Sequence, residues 1–218
     1  MAKETFKPPR NDAELKQKEA EGLWRAQIIS KDIAESDERI TVETIKRIHG
    51  EFFKNVRPEM AGRFRRIGED VKKLECIEPP LGLVVEQKMH EFWRNMDTRL
   101  ATIPRKPRSK SEKSRALRNA EIVECAAWVH HQITAIHPFC QGNGRMARIM
   151  NNVILRRFGL QPSDFQKISE DKSRYLHALC QIDKMEDYEP LKEIIVEGVK
   201  HTYHRVYDRV IKINKKGR

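Results

Sequence analysis

Residues 120–136, AEIVECAAWVHHQITAI, are apolar around most of a helical circumference, and a helix of that kind has to be covered on nearly every side. It is expected to be the most buried element of the chain. A second apolar helix is read from MARIMNNVILRRFGL, ending at Gly159 ahead of Pro162. Only HPFCQGNGR, residues 137–145, lies between the two. At 218 residues the chain has room for one domain with a substantial core and not for two comfortable ones.

The rest of the pattern is also helical. After an arm of ten residues with two prolines, Asn11 and Asp12 offer an N-cap. Leu15, Leu23, Trp24, Ile28 and Ile29 then recur among strong helix formers, with Gly22 expected to interrupt or end that helix. In ITVETIKRIHGEFFKNV, Ile45, Ile48, Phe52 and Phe53 fall at helical spacing, with Thr41 and Thr44 as caps. Residues 57–85 carry Pro, Gly and short apolar runs, which reads as loop with one or two short strands forming a hairpin. Residues 86–103 return to helical spacing through Met89, Phe92, Trp93, Met96 and Leu100. Residues 104–119 are basic and poor in apolar side chains and read as a surface loop. Two further helices are predicted at about 169–184 and 187–213. The predicted class is all-α, a helical bundle with a small β-hairpin.

The 34% of charged residues and 7% of aromatics fit a helical soluble protein and argue against a sandwich or a disordered chain. A net charge of +11 favours anionic partners in general. The basic residues are spread over polar helix faces, however, which reads as solvated surface and not as a nucleic-acid interface. Cys76, Cys125, Cys140 and Cys180 form no CxxC pair, so neither a zinc knuckle nor a disulfide framework is indicated and four reduced thiols are expected. The N-terminus has no apolar signal segment and no stretch reaches bilayer length. No membrane association is expected, and the compartment is expected to be the cytoplasm.

The chemistry is concentrated in HPFCQGNGRMAR. Gly142 and Gly144 lack the Cβ that would block a positive φ or the close approach of a diphosphate. A helix starting just after them would turn free N–H groups toward an anion. Asn143 adds an amide, and Arg145 and Arg148, three apart, reach phosphate from one side of the first turn. His137, at the end of the preceding helix and fixed by Pro138, is suited to take a proton from an attacking hydroxyl. Phe139 anchors the loop on the core. These parts describe phosphoryl or nucleotidyl transfer and exclude hydrolysis by a serine or thiol nucleophile. The pair His130-His131 has no carboxylate or thiol at ligand spacing, which excludes a protein-held transition metal.

The stretch resembles the Fic family signature HPFx[DE]GNGRxxR at every fixed position except the acidic one, where Gln141 stands. The likeness extends to AAWVHHQITAIHPF, to IKRIHGEFF followed by AGRFR, and to Pro79-Pro80 before an apolar helix, in all roughly residues 37–200. The resemblance implies a Fic-type helical bundle over 37–200, preceded by an arm and inhibitory helix in 1–36 and followed by a helix end and basic tail in 201–218. It implies a protein adenylyltransferase that moves AMP from ATP to a Ser, Thr or Tyr hydroxyl. His137 would be the base. Gly142, Asn143 and Gly144 would hold the α-phosphate region, Arg145 would bind phosphate, and Arg148 would grip the terminal phosphate. A flap near residues 74–86 would dock the target by strand addition.

Gln141 replaces the family's metal ligand with a neutral, weaker one. Any Mg2+ or Mn2+ would then be held mainly by the nucleotide phosphates, and activity is expected to be reduced or altered, since His137 and both arginines are intact. QKEAEG, residues 17–22, partly matches the family's inhibitory pattern [ST]xxxE[GN], with Glu21 in the position that would pair with Arg148. Two alternatives stay open: another donor, such as UTP, GTP or a phosphocholine carrier, and a non-catalytic regulatory or toxin–antitoxin partner that binds nucleotide or nucleic acid.

Overall fold

The computed structural model describes residue 6 and residues 8–69, 71, 73, 76–165 and 171–216. Among these every regular element is a helix. Helix α1, Asp12–Glu35, starts where the Asn11 side chain accepts from the Glu14 N–H. It runs straight through Gly22, correcting the expected break. A Cβ at Gly22 would lie 2.2 Å from the Phe52 carbonyl oxygen. The glycine therefore marks the point where α1 and its neighbour α2 touch backbone to backbone, and that contact offsets the ~1 kcal/mol of lost helix propensity.

Helix α2, Val42–Phe53, opens with a reciprocal cap in which Thr41 and Thr44 bond each other's backbone N–H. It buries Ile45, Ile48, Phe52 and Phe53. Helix α3, Val85–Thr102, follows a short 3-10 turn at Gly82–Val84 and buries Met89, Phe92 and Met96. Between α2 and α3 no strand forms among the described residues, so the predicted hairpin is absent there. Leu74 and Glu75, at the start of the predicted flap, lie outside the described residues. The hydrogen-bonding groups that a hairpin needs are engaged elsewhere: the Arg65 N–H donates to the Pro138 carbonyl, and Pro79 and Pro80 have no N–H to offer.

Helix α4, Glu112–Ile136, begins well before the predicted residue 120, because the Ser111 side chain caps the Ser114 N–H. Its first turns therefore come from the stretch read as loop. Arg118, buried in that part, donates to the carbonyls of Pro104, Arg105 and Phe158. Helix α5, Asn143–Arg157, packs on α4 through Met146, Ala147, Met150 and Ile154 against Ile122, Ala126, Val129 and Ile133, all at most 1% exposed. Helices α6, Lys172–Met185, and α7, Glu189–Lys216, close the described chain. Helix α1 packs on both α2 and α5, so it is part of the same helical body and lies against the motif helix.

Cys76 and Cys180 form a disulfide, with Cα atoms 5.4 Å apart across 104 residues of sequence. This corrects the expectation of four reduced thiols; Cys125 and Cys140 are free. Sequence spacing carries no trace of the pairing, because it is made by the fold bringing the segment before α3 onto α6. By chain entropy, closing a loop of that size stabilises the fold by about 4–5 kcal/mol. No described helix is long and apolar enough to cross a membrane.

Candidate active site

His137 is the C-cap of α4 and sits in the left-handed region at φ 50°, ψ 58°. A non-glycine residue there, and one followed by proline, is strained by about 1–2 kcal/mol. Arg65, itself 4% exposed, holds the strained turn: its Nε donates to the His137 carbonyl at 2.7 Å, and its Nη2 donates to the Pro80 carbonyl and, at 3.4 Å, to that of Ile136. It thereby satisfies carbonyls left orphaned at the helix end. The His137 Nδ1 lies 3.1 Å from the Thr134 carbonyl. A carbonyl only accepts, so Nδ1 carries the proton and Nε2 keeps a free lone pair. Burial lowers the His137 pKa, against the Thr134 bond, which raises it, and with the Arg65 charge, which lowers it further. The ring is neutral at neutral pH, as a proton acceptor must be.

The loop after His137 is braced from inside. Phe139 is fully buried. Asn143, expected to face phosphate, is buried and closes the loop instead: its Oδ1 accepts from the Phe139 N–H at 2.9 Å and its Nδ2 donates to the Phe139 carbonyl at 2.7 Å. A connection squeezed between two buried helices must pair its own backbone groups, and Asn143 does so. Gly142 has φ 84°, and a Cβ on it would come within 2.7 Å of the Phe53 ring. Gly144 is helical, and a Cβ there would meet only Arg148 Nη1, at 3.8 Å. Nothing in the fold crowds that position. Helix α5 has no side-chain cap, and its first internal bond is Met146 N–H to the Gly142 carbonyl. Its first N–H groups thus have no partner within the helix, the arrangement that suits an anion.

His49 is a part of this site whose role the sequence reading did not assign. Its ring stacks on Phe139 at 3.7 Å and 4°. Its Nε2 donates to the Gln141 carbonyl at 3.1 Å and its Nδ1 accepts from the Gly62 N–H at 3.0 Å. Burial pulls its pKa down to about 4, the Gln141 carbonyl opposing and Arg145 assisting. The only available signal was a histidine among the buried positions of an amphipathic helix. The Gln141 side chain, by contrast, is exposed.

Arg145 sits over Phe52, with 4.1 Å from guanidinium carbon to ring centroid, and its Nη1 is 3.7 Å from Glu19. With Arg148 it lines a cleft of about 890 Å3 closed by α1, α5, α6 and α7, a volume suited to a small-molecule ligand. His137 does not line this cleft. The motif spans two concavities: its arginines reach the larger one, while the His137 turn is held by Arg65, which lines a second cavity of about 520 Å3 beside Ile67, Gly82 and Leu83. Glu21, expected to pair with Arg148, is exposed and accepts from Gln17 at 3.0 Å. The α1 acid that reaches the motif is Glu19.

Other candidates resolve into structure. His130 is fully buried and shares a 2.7 Å hydrogen bond with the Tyr175 hydroxyl; His131 pairs with Asp183 at 2.9 Å. Burial and the neighbouring Glu69 carboxylate push the Cys140 thiol above its ordinary pKa, which keeps it from being a thiolate nucleophile. At the motif the side chains offer a divalent metal no carboxylate. The position that should supply a carboxylate is the neutral Gln141, and no group of three or more His, Cys, Asp or Glu is placed to hold an ion among the described residues.

Comparison with known proteins places these features in context. Residues 39–155 match the Fic/DOC family. The chain is 32% identical over 141 residues to a protein adenylyltransferase Fic of Drosophila mojavensis, covering 64% of this chain and 24% of that protein. The Drosophila persimilis counterpart is 31% identical over the same length, with 23% of it covered. The chain thus spans about a quarter of these relatives. Among solved structures, Fic-1 (residues 134–508) of C. elegans superposes with a TM-score of 0.63 at 21% identity, covering 96% of this chain and 56% of that one. BepC of Bartonella tribocorum with bound AMPPNP superposes with a TM-score of 0.59 at 17% identity, covering 87% and 88%.

Proposed function

The chain belongs to the Fic/DOC family, and on that basis we propose that it transfers AMP from ATP to a Ser, Thr or Tyr hydroxyl of a target protein. His137 Nε2 takes the hydroxyl proton as the oxygen attacks the α-phosphorus. The bond from that phosphorus to the bridging oxygen breaks, and diphosphate leaves. The first N–H groups of α5, with the open side of Gly144, receive the α-phosphate, and Arg145 and Arg148 hold the phosphates beyond it. The target segment lies along residues 76–86, beside the His137 turn. The relatives named as adenylyltransferases and the neighbour holding AMPPNP support this reading.

The observation that carries it is the Nδ1 bond to Thr134, which leaves a neutral imidazole with its Nε2 lone pair free. Removing such a base lowers rate about 10²–10⁴-fold. The N-terminal helix restrains the site through Glu19, whose contact with Arg145 competes with phosphate. In the testing experiment, ATP labelled on its α-phosphate is incubated with the chain and a cell extract. Label should enter protein with wild type, not with His137→Ala, and not when the γ-phosphate carries it. Label transferred from the γ-position would replace nucleotidyl transfer with phosphoryl transfer.

A further inference from the structure

The cleft that receives the phosphates is far more basic than two motif arginines require. Arg145, Arg148 and Arg156 line it from α5, Lys172 from the start of α6, and Arg205 and Arg209, one turn apart, from α7. Among the described residues that line it, the one carboxylate is Asp164, and it already accepts from Arg205 at 2.8 Å and from His201 at 3.0 Å. Two acids of α1 reach this set, Glu19 at 3.7 Å from Arg145 and Glu35 at 3.9 Å from Arg156. On the motif loop, the position that would bring a carboxylate and its metal carries Gln141.

We infer that the cleft neutralises the donor's phosphate chain with protein cations, Arg156, Lys172, Arg205 and Arg209 supplementing the motif arginines, in place of a divalent metal ion. The inference rests on the nucleotide-transfer reading of the same site. Two effects point one way. A divalent cation entering beside six cationic side chains, only partly offset by Asp164, Glu19 and Glu35, is repelled at close range, where salt screens least. A guanidinium or ammonium, in contrast, pairs directly with phosphate oxygens. With an amide at residue 141 the site loses its hard anionic ligand, and it also loses the negative charge that would repel an unmetallated phosphate chain. The amide at residue 141 and the extra cations of the cleft act in one direction, the first removing an anionic metal ligand and the others supplying positive charge to phosphate.

The test is calorimetric titration of ATP and of AMP into the intact chain, in EDTA and in magnesium, for wild type, Gln141→Glu and Lys172→Ala/Arg209→Ala. Wild type should bind ATP in EDTA within about threefold of its affinity in magnesium. Gln141→Glu should weaken ATP binding in EDTA about tenfold and recover it when magnesium is added. The double variant, at two exposed positions, should weaken ATP about fivefold while leaving AMP little changed. Wild type binding ATP only with magnesium, or a Gln141→Glu protein with no new metal response, overturns the inference and leaves the transfer reading standing. Failure to bind ATP in either medium removes both.

Discussion

The loop from His137 to Gly144 and the segment from Phe64 to Val84 meet at Arg65, yet they are built by opposite means. The loop is closed on itself by the two Asn143–Phe139 bonds, backed by the stacked His49 ring and carried on a fully buried Phe139. Among its described residues the segment has no ladder of its own and leaves Ile67, Leu81 and Leu83 at 72%, 79% and 69% exposure. It is tied down by the Arg65 bond to Pro80 and by the Cys76–Cys180 disulfide. Under the proposed function the difference separates two tasks. Proton transfer needs atoms held to fractions of an ångström, whereas a target chain needs open backbone and apolar side chains that it can cover.

The loop side of this contrast should break hardest at Asn143. Asn143→Ala leaves the Phe139 N–H and carbonyl buried without partners, an expected loss of about 4 kcal/mol, read by urea unfolding, together with loss of transfer. The next effect is set by His49. Its folded pKa of about 4 lies below the ordinary 6.5, so the unfolded chain takes up the proton first. The His49 share of stability should be full above pH 6.5 and fall by about 3 kcal/mol as pH drops from 6.5 to 4. Buried His130, whose pKa is pushed down to about 3, adds a comparable fall over the same range, so His49→Phe should remove about half of the dependence.

On the segment side, Leu81→Asp/Leu83→Asp should raise the KM for a protein target about tenfold, with melting temperature unchanged, because both side chains are exposed in the free protein. The smallest effect separates two glutamates. Glu19→Gln should strengthen ATP binding about two- to fivefold, the range for a partly exposed ion pair, and Glu21→Gly should leave it where it was. Equal effects, or a larger one from Glu21, would return the restraint to the sequence-based assignment.

Much of the fold was legible because it depends on local pattern. The Thr41 and Thr44 caps, the apolar faces of α2 and α3, and the buried α4 and α5 on either side of a Gly-rich turn are all set within a few residues of themselves. What escaped is set by distant partners. Gly22 reads as a break until the Phe52 carbonyl occupies its open side. Ser111 is an ordinary loop serine until the carbonyls of Pro104, Arg105 and Phe158 give Arg118 a reason to be helical and buried. The disulfide joins positions that only the tertiary fold brings together. In the site, residue types pointed to a kind of chemistry, but not to Asn143 turning inward or to Glu19 as the acid facing Arg145.

The central claim is that His137 takes a proton from a hydroxyl while a nucleotide is transferred. Intact-mass spectrometry of the chain after incubation with ATP, wild type beside His137→Ala, tests it directly, since the chain's own surface hydroxyls serve as acceptors. A mass gain of one AMP is expected on wild type and none on the variant, with ATP binding retained in both. A gain of the same size on His137→Ala, or none on wild type with any nucleoside triphosphate, would contradict it.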